Sequence, residues 1–115
     1  VAVRLAALGT AEPSAVSGFC AKLAKAGALV EIVRMGELAA NAGVPVTLIS
    51  AFETSLGVAA NLHIASVLPA ISSAAELGAN LIAEDPVGTS ISRAPDTPVP
   101  EGPGLGVELN DVLFD

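Results

Sequence analysis

Apolar residues along the chain follow two different spacings, which predict strands and helices in turn. Two short runs, AVSGFCAKLA and VPVTLIS, are apolar at successive positions, as in strands of a parallel sheet that is covered on both faces. Two longer segments, ALVEIVRMGELAANAG and ETSLGVAANLHIASVLP, repeat their apolar residues at helical spacing. The opening run VAVRLAALG is typical of the end of a helix that stops at Gly9, and SSAAEL is predicted to form a third, short strand.

Each of the two long helices has a predicted buried stripe and predicted ends. The first helix is predicted to bury Leu29, Ile32, Val33, Gly36 and Ala40. The second helix is predicted to bury Leu56, Ala60, Ile64 and Val67. Gly43 is expected to end the first helix. Thr54 or Ser55 is available to cap the second helix, which Pro69 closes.

The alternation of strands and helices predicts an α/β fold built on a parallel sheet. From Asp85 onward the composition shifts toward proline and glycine, which indicates an extended tail that packs on another part of the protein. We therefore divide the chain into residues 1–84, which carry the βα units, and residues 85–115, the tail. The tail motif GPGLG lacks the lysine of a phosphate-binding loop and does not join a strand to a helix, so we interpret it as a turn.

Charge and composition exclude several classes of partner. With a net charge of −7 over 115 residues, the chain has no basic face to neutralise phosphates, so we expect no nucleic-acid partner. No apolar run approaches the roughly 20 residues that span a bilayer, and no secretory signal opens the chain, so we expect no membrane partner. The single cysteine, Cys20, suits a reducing cytoplasm and is expected to be a small buried strand residue.

Three ionisable residues fall where predicted strands end. Lys22 closes the first strand, Glu53 follows the second, and Glu76 stands at the end of the third. They are separated by about one βα repeat each. Because ligands bind at the carboxyl ends of the strands in parallel α/β sheets, this spacing predicts a site assembled from successive strands.

Each of these residues also has an ordinary structural role open to it. A lysine among apolar neighbours loses its preference for the charged form and can accept a proton, but Lys22 can equally extend its ammonium group to solvent. Glu53 fits the first turn of a helix, where the macrodipole favours a carboxylate, and Glu76 fits a loop. Lys25 is expected in an exposed turn. His63 has no second His or Cys to form a metal pair, so we interpret it as structural.

The segment AKLAKAGALVEIVRMGELAANAGVPVTLISAFETSLGVAANLHIASVLP, with AAELGANLIAEDP and PGLGVEL after it, closely resembles the C-terminal part of enolase-superfamily enzymes of the muconate-lactonizing subgroup. The resemblance covers about residues 14 to 109. It implies strands six to eight of a modified TIM-type (β/α) barrel, followed by an extended C-terminal tail. One departure is Gly27-Ala28 in place of the usual Gly-Gly, which affects a turn and not the chemistry.

The resemblance also implies roles for individual residues. Lys22 matches the acid/base lysine at the end of the sixth strand, and Glu76 matches the acidic catalytic position at the end of the eighth. Glu53 matches the glutamate after the seventh strand and, with Ser50 and Phe52, is expected to line the substrate pocket. Such enzymes bind Mg²⁺ or Mn²⁺, which stabilises the enolate formed when a proton α to a carboxylate moves.

The same resemblance places the metal ligands and an opposing lysine pair on earlier strands, so we expect them upstream of this chain. The parent enzyme would have about 350–400 residues, a barrel of about 250 plus a capping domain. The chain alone is expected to be inactive. The full-length protein is expected to be a cytoplasmic homo-oligomer acting on a small-molecule carboxylate.

The main functional hypothesis is a muconate cycloisomerase-type lactonization. The alternatives in the same subgroup are o-succinylbenzoate synthase, dipeptide epimerase and N-acylamino acid racemase. AAELG lacks the aspartate pair of the dipeptide epimerases, which slightly disfavours that alternative. A hypothesis of a different class is a non-catalytic α/β interaction module, which predicts a stable 11.3 kDa monomer without metal dependence.

Overall fold

A computed structural model describes residues 17–69, 71, 75–77, 82–88, 91 and 96–111. Within these residues, three strands and three helices follow one another in the order β1 (Phe19–Ala21), α1 (Leu23–Ala26), α2 (Leu29–Asn41), β2 (Val46–Ser50), α3 (Ser55–Val67) and β3 (Glu76–Leu77). The strands form one parallel sheet in the order β1-β2-β3. The predicted α/β fold with a parallel sheet is therefore confirmed.

The register of the sheet is set along both sides of the central strand β2. On one side, Ala21 at the end of β1 pairs with Leu48. On the other side, Ile49 pairs with Glu76 at the start of β3. The last residue of β1 and the first residue of β3 therefore lie beside neighbouring positions of β2. Glu76 was predicted to stand at the end of the third strand, and it begins the described strand instead.

One face of the sheet is packed against the helices. The core cluster draws on β1, β2, α2 and α3 and comprises Ala21, Ile32, Ala39, Val46, Leu48, Ile64 and Leu68. Side chains of a strand alternate between faces, so Cys20 lies on the face opposite Ala21, and it is exposed. The predictions of a sheet covered on both faces and of a buried Cys20 are therefore wrong for the part of the chain that the structure describes.

Helices α2 and α3 meet at a glycine. A Cβ placed on Gly36 of α2 would lie 2.5 Å from Cδ1 and 2.9 Å from Cγ of Leu68, just beyond the end of α3. Both residues are buried. Leu68 fills the space over Gly36 and continues into the core, which explains why a glycine occupies the middle of α2.

The buried faces of both helices differ from the predicted stripes. In α2 the buried residues are Ile32, Gly36 and Ala39, whereas the predicted members Leu29 and Ala40 are exposed. Ala39 belongs to the core cluster and Ala40 does not, so the core-facing side is rotated from the predicted stripe. In α3 burial spreads over Ser55, Val58, Ala59, Ala60, Asn61 and Ile64. The predicted Val67 is 61% exposed, whereas Leu68, the next residue, is buried.

Several predicted ends are confirmed. Gly43, with φ of 66°, follows the end of α2, and Thr54 caps α3 by accepting a hydrogen bond from the Gly57 amide at 3.4 Å. α3 ends at Val67, shortly before Pro69. The run predicted as the first strand is corrected, because helix α1 begins immediately after Lys22. The opening helix predicted to end at Gly9 lies outside the described residues.

The described part of the tail contacts α3. Val87 forms an antiparallel bridge with Leu109, and the Asn110 amide donates to the Pro86 carbonyl at 2.6 Å. A ring nitrogen of His63 lies 3.2 Å from the Leu105 carbonyl oxygen, which gives this histidine the structural role predicted for it. In GPGLG, Gly102, Gly104 and Gly106 all have positive φ, as the interpretation of this motif as a turn requires.

Substituting Gly36 tests the helix crossing. Gly36→Val would place methyl groups where Leu68 lies, so we expect the free energy of unfolding to fall by about 1–3 kcal/mol in urea denaturation. Gly88→Val is the control, since no atom lies within 4 Å of a Cβ there. Leu68→Ala should cost less in the Gly36→Val background than in the parent. Additive effects of the two substitutions would contradict this packing.

Candidate functional site

Lys22 continues the line of β1 although it is no longer part of the sheet. Its φ of −128° and ψ of 120° are extended, so the strand alternation carries on for one more residue. Lys22 therefore shares the face of Cys20, opposite the helix-packed Ala21. Its side chain is half-buried and makes no capping hydrogen bond to helix α1, although α1 begins at the next residue.

The two lysines of this segment occupy different environments. Lys25 is exposed, as predicted, but it lies in the last turn of helix α1 and not in a loop. Its amide donates to the Lys22 carbonyl at 3.0 Å, so the Lys22 backbone starts the helix while its side chain is left for other contacts. Of these two lysines, only Lys22 lies at the carboxyl end of a strand.

The sheet register brings Lys22 and Glu76 into one row. Since Ala21 pairs with Leu48, continuing the register by one residue sets Lys22 opposite Ile49. On the other side of β2, Ile49 pairs with Glu76. With neighbouring strands about 4.8 Å apart, this continued register corresponds to roughly 10 Å between the Cα positions of Lys22 and Glu76, across Ile49.

Ser50 was predicted to line the pocket, but it does not lie on the same face of the sheet as Lys22. It follows Ile49, so its register position falls on the helix-packed face with Val46 and Leu48. Its hydroxyl oxygen is buried without a hydrogen-bond partner. Ser50 is therefore separated by alternation from the face that carries Lys22.

Phe52 lies in the loop between β2 and α3 in an unusual conformation. Its φ is 61°, in the left-handed region that a residue with a Cβ rarely adopts, and its side chain is 69% exposed. Such a conformation costs about 1–3 kcal/mol and persists only where the surroundings impose it. Backbone strain of this kind is concentrated at functional sites, so this loop is a candidate for one.

Glu53 stands just before the cap of α3 and is half-buried. Its carboxylate lies against the Cα of Gly57, because a Cβ on Gly57 would collide with the Oε2 atom of Glu53. Gly57 thus leaves the space that the Glu53 side chain occupies beside the first turn of α3. The helix N-terminus carries partial positive charge and favours a carboxylate there.

Asp85 is the residue of this region that the sequence did not indicate. Its carboxylate accepts hydrogen bonds from the Ser55 amide at 2.8 Å and from the Ser55 hydroxyl at 2.7 Å. Ser55 is only 1% exposed. The two residues are 30 positions apart, and no local motif links them, so only the folded structure reveals the contact.

The described residues do not by themselves form a metal site. Within the ranges that the structure describes, no group of three His, Cys, Asp or Glu side chains lies close enough to hold a metal ion. In the same ranges no helix combines the length and apolar character needed to cross a membrane.

Comparison with known proteins identifies the family. The sequence model of the family described as enolase C-terminal domain-like matches residues 7–113, nearly the whole chain. The chain belongs to this enolase C-terminal domain-like family. No curated protein matches the chain significantly.

Solved structures share this enolase-type fold. An isomerase from Streptomyces coelicolor A3(2) superimposes with a TM-score of 0.78 at 25% identity, over 88% of this chain and 27% of that one. An enolase from Thermobispora bispora DSM 43833, complexed with magnesium and formate, gives a TM-score of 0.76 at 26% identity, over 93% of this chain and 26% of that one. The chain thus spans about a quarter of these structures, and its parallel strands match the C-terminal barrel part of enolase-superfamily enzymes.

Substitutions at Phe52 test whether the loop is strained. Asn tolerates the left-handed region, so Phe52→Asn should raise the free energy of unfolding by about 1 kcal/mol. Phe52→Val should lower it by about 1–2 kcal/mol, because a β-branched side chain fits this conformation worst. Urea denaturation of both variants measures the difference. The exposed side chain makes lost burial a small factor, and equal stability of the two variants would exclude the strain.

Proposed function

We propose that this chain is the C-terminal barrel part of a divalent-metal-dependent enzyme that moves a proton α to a substrate carboxylate. The observation that carries the proposal is a row near the carboxyl ends of β1 and β2. In this row Ile49 pairs with Glu76, the first residue of β3, and the register of β1 continued by one residue adds Lys22. Ligands of parallel α/β folds bind at that edge. Family membership supports the reaction class, because enolase-superfamily chemistry needs an acid/base group at this edge.

Lys22 is the proposed acid/base residue. As a neutral amine it accepts the α-proton, and as an ammonium group it returns that proton to the enolate carbon. When it stays protonated, its positive charge stabilises the negative charge that the enolate develops. Its half-buried position supports both roles, because partial exclusion of water strengthens electrostatic interactions with a bound ligand.

Glu76 is the proposed second catalytic residue. Its Cα lies in the same row as Lys22, with one strand between them. A carboxylate at that distance orients the ammonium group of Lys22 and, when protonated, donates a hydrogen bond to a substrate oxygen. Lys22 thus transfers the proton, and Glu76 orients the ammonium group of Lys22.

The substrate pocket is proposed to include the loop that follows β2. Phe52 offers an exposed aromatic surface, and Glu53 is held beside α3. Ser50 was predicted to line the pocket with these two residues. Its buried hydroxyl lies on the helix-packed face of the sheet, opposite to Lys22, so we propose that Ser50 supports the loop from that face.

The metal requirement rests on the family and not on the described residues. The Thermobispora bispora enolase is complexed with magnesium. We propose Mg²⁺ or Mn²⁺ for the parent enzyme, with ligands from residues beyond those described, since the latter provide no cluster of three ligating side chains. The steps assigned to Lys22 and Glu76 involve this chain's own groups only.

Among the reactions of the superfamily, we propose muconate cycloisomerase-type lactonization. The isomerase from Streptomyces coelicolor supports an isomerase in general terms. The other candidates are o-succinylbenzoate synthesis, dipeptide epimerization and N-acylamino acid racemization, which share the enolate. The candidate reactions that form the enolate reversibly all exchange a substrate α-proton with solvent deuterium. This exchange is therefore the first activity to measure.

The two lysines provide a matched test in the protein that contains this chain. Deuterium incorporation from D₂O, followed by mass spectrometry, is measured with muconolactone, an N-acylamino acid and a dipeptide in the presence of Mg²⁺. Lys22→Ala should lower the exchange rate by about 100-fold or more, the usual contribution of a general acid/base group. Lys25→Ala, on exposed α1, should stay within about twofold of the parent.

Circular dichroism serves as the folding control for both lysine variants. Circular dichroism should be unchanged in both variants, since neither lysine belongs to the core cluster. Equal exchange rates for the Lys22→Ala and Lys25→Ala variants would refute the role assigned to Lys22. Absence of exchange with every substrate in the unmodified protein would refute the proposed reaction class.

A further inference from the structure

The loop between β2 and α3 needs an external constraint. Phe52 holds a left-handed φ of 61° while its side chain is 69% exposed, so side-chain packing contributes little to that conformation. The constraint must come from the two ends of the loop. At the first end, β2 is fixed where Ser50 pairs with Leu77.

The second end of the loop is the start of α3, which has two caps of unequal quality. The local cap is the Thr54 side chain, whose Oγ1 lies 3.4 Å from the Gly57 amide nitrogen, near the limit for a hydrogen bond. The distant cap is Asp85, which accepts from the Ser55 amide at 2.8 Å and from the Ser55 hydroxyl at 2.7 Å. Hydrogen bonds to a carboxylate are shorter and stronger than neutral ones, so Asp85 dominates.

Asp85 is itself held in place by the tail. Its other carboxylate oxygen accepts from the Val87 amide at 3.1 Å. Val87 is buried and bridges to Leu109, and the Gly88 amide donates to the Glu108 carbonyl at 3.1 Å. The tail therefore fixes the position of the Asp85 carboxylate, which binds the start of α3 from outside the loop.

We propose that Asp85 is a positioning residue for the active site. It acts through Ser55, because fixing the start of α3 fixes the position of Glu53 beside Gly57 and imposes the backbone conformation of Phe52. The role of this loop in turnover rests on the proposed function. The ordering of the loop by Asp85 does not, and it is measured separately.

Amide hydrogen exchange tests the ordering of the loop in the protein that contains this chain. Asp85→Asn keeps the shape of the side chain but removes its charge. It should speed exchange in peptides covering residues 53–57 about tenfold, the effect of losing an N-cap of ordinary strength. Asp96→Asn is the matched control, an exposed aspartate of the same tail, and should leave these amides unchanged. Peptides from α2 should be unaffected in both variants.

Two results would overturn the proposal. The first is exchange within twofold of the parent at residues 53–57 in Asp85→Asn. The second, used if that variant does not fold, is exchange within twofold of the parent in Ser55→Ala. This variant keeps the Asp85 carboxylate and its 2.8 Å bond from the backbone amide, but it removes the hydroxyl, which donates to Asp85 at 2.7 Å and accepts from the Ile91 amide at 3.5 Å. Both hydrogen-exchange results test the ordering of the loop whether or not the protein turns over an enolate-forming substrate.

Kinetics then connects the loop to catalysis. Asp85→Asn should lower kcat/KM about tenfold and raise KM about threefold or more, because Phe52 and Glu53 of this loop are the proposed pocket residues. Combining it with Ser55→Ala should lower kcat/KM no further than the larger single effect, since both act through one contact. Additive losses, or an unchanged KM, would overturn the assignment of Asp85 as a positioning residue even where loop ordering changes.

Discussion

The parallel register of the three strands is the constraint on which the rest of the structure depends. It pairs Ala21 with Leu48 on one side of β2 and Ile49 with Glu76 on the other, which brings Lys22 and Glu76 into one row. A slip of one residue in either pairing would move one of them to the opposite face, because strand side chains alternate. The proposed chemistry therefore depends on backbone hydrogen bonds between strands and not on any motif around a single residue.

The helix layer and the tail maintain this arrangement from one side. Leu68 packs over Gly36 and draws α3 against α2, while the core cluster covers one face of the sheet. Asp85 and His63 attach the tail to α3 by hydrogen bonds at its first and third turns. The other face carries the exposed Cys20. In the enzyme that we propose, that face lines the interior of a barrel completed by residues outside this chain.

The sequence predicted what depends on near neighbours and missed what depends on distant ones. The alternation of strands and helices, the Thr54 cap and the turn at Gly43 were predictable because each is set by residues within one turn. The exposure of Cys20 was not, because burial of a strand depends on what covers its second face. The Asp85 contact was not either, because it joins positions 30 residues apart. The role of Lys22 rests on its strand end and on resemblance, and it remains a prediction.

The most direct test of the central claim is a zero-length cross-link between the two ends of the row. Carbodiimide treatment of the protein that contains this chain should join the amine of Lys22 to the carboxylate of Glu76, detected as a linked peptide pair by mass spectrometry. Lys25 should not link to Glu76, and Glu76→Gln should remove the product. A Lys25–Glu76 link, or none between Lys22 and Glu76, would contradict the account that these two residues form one site.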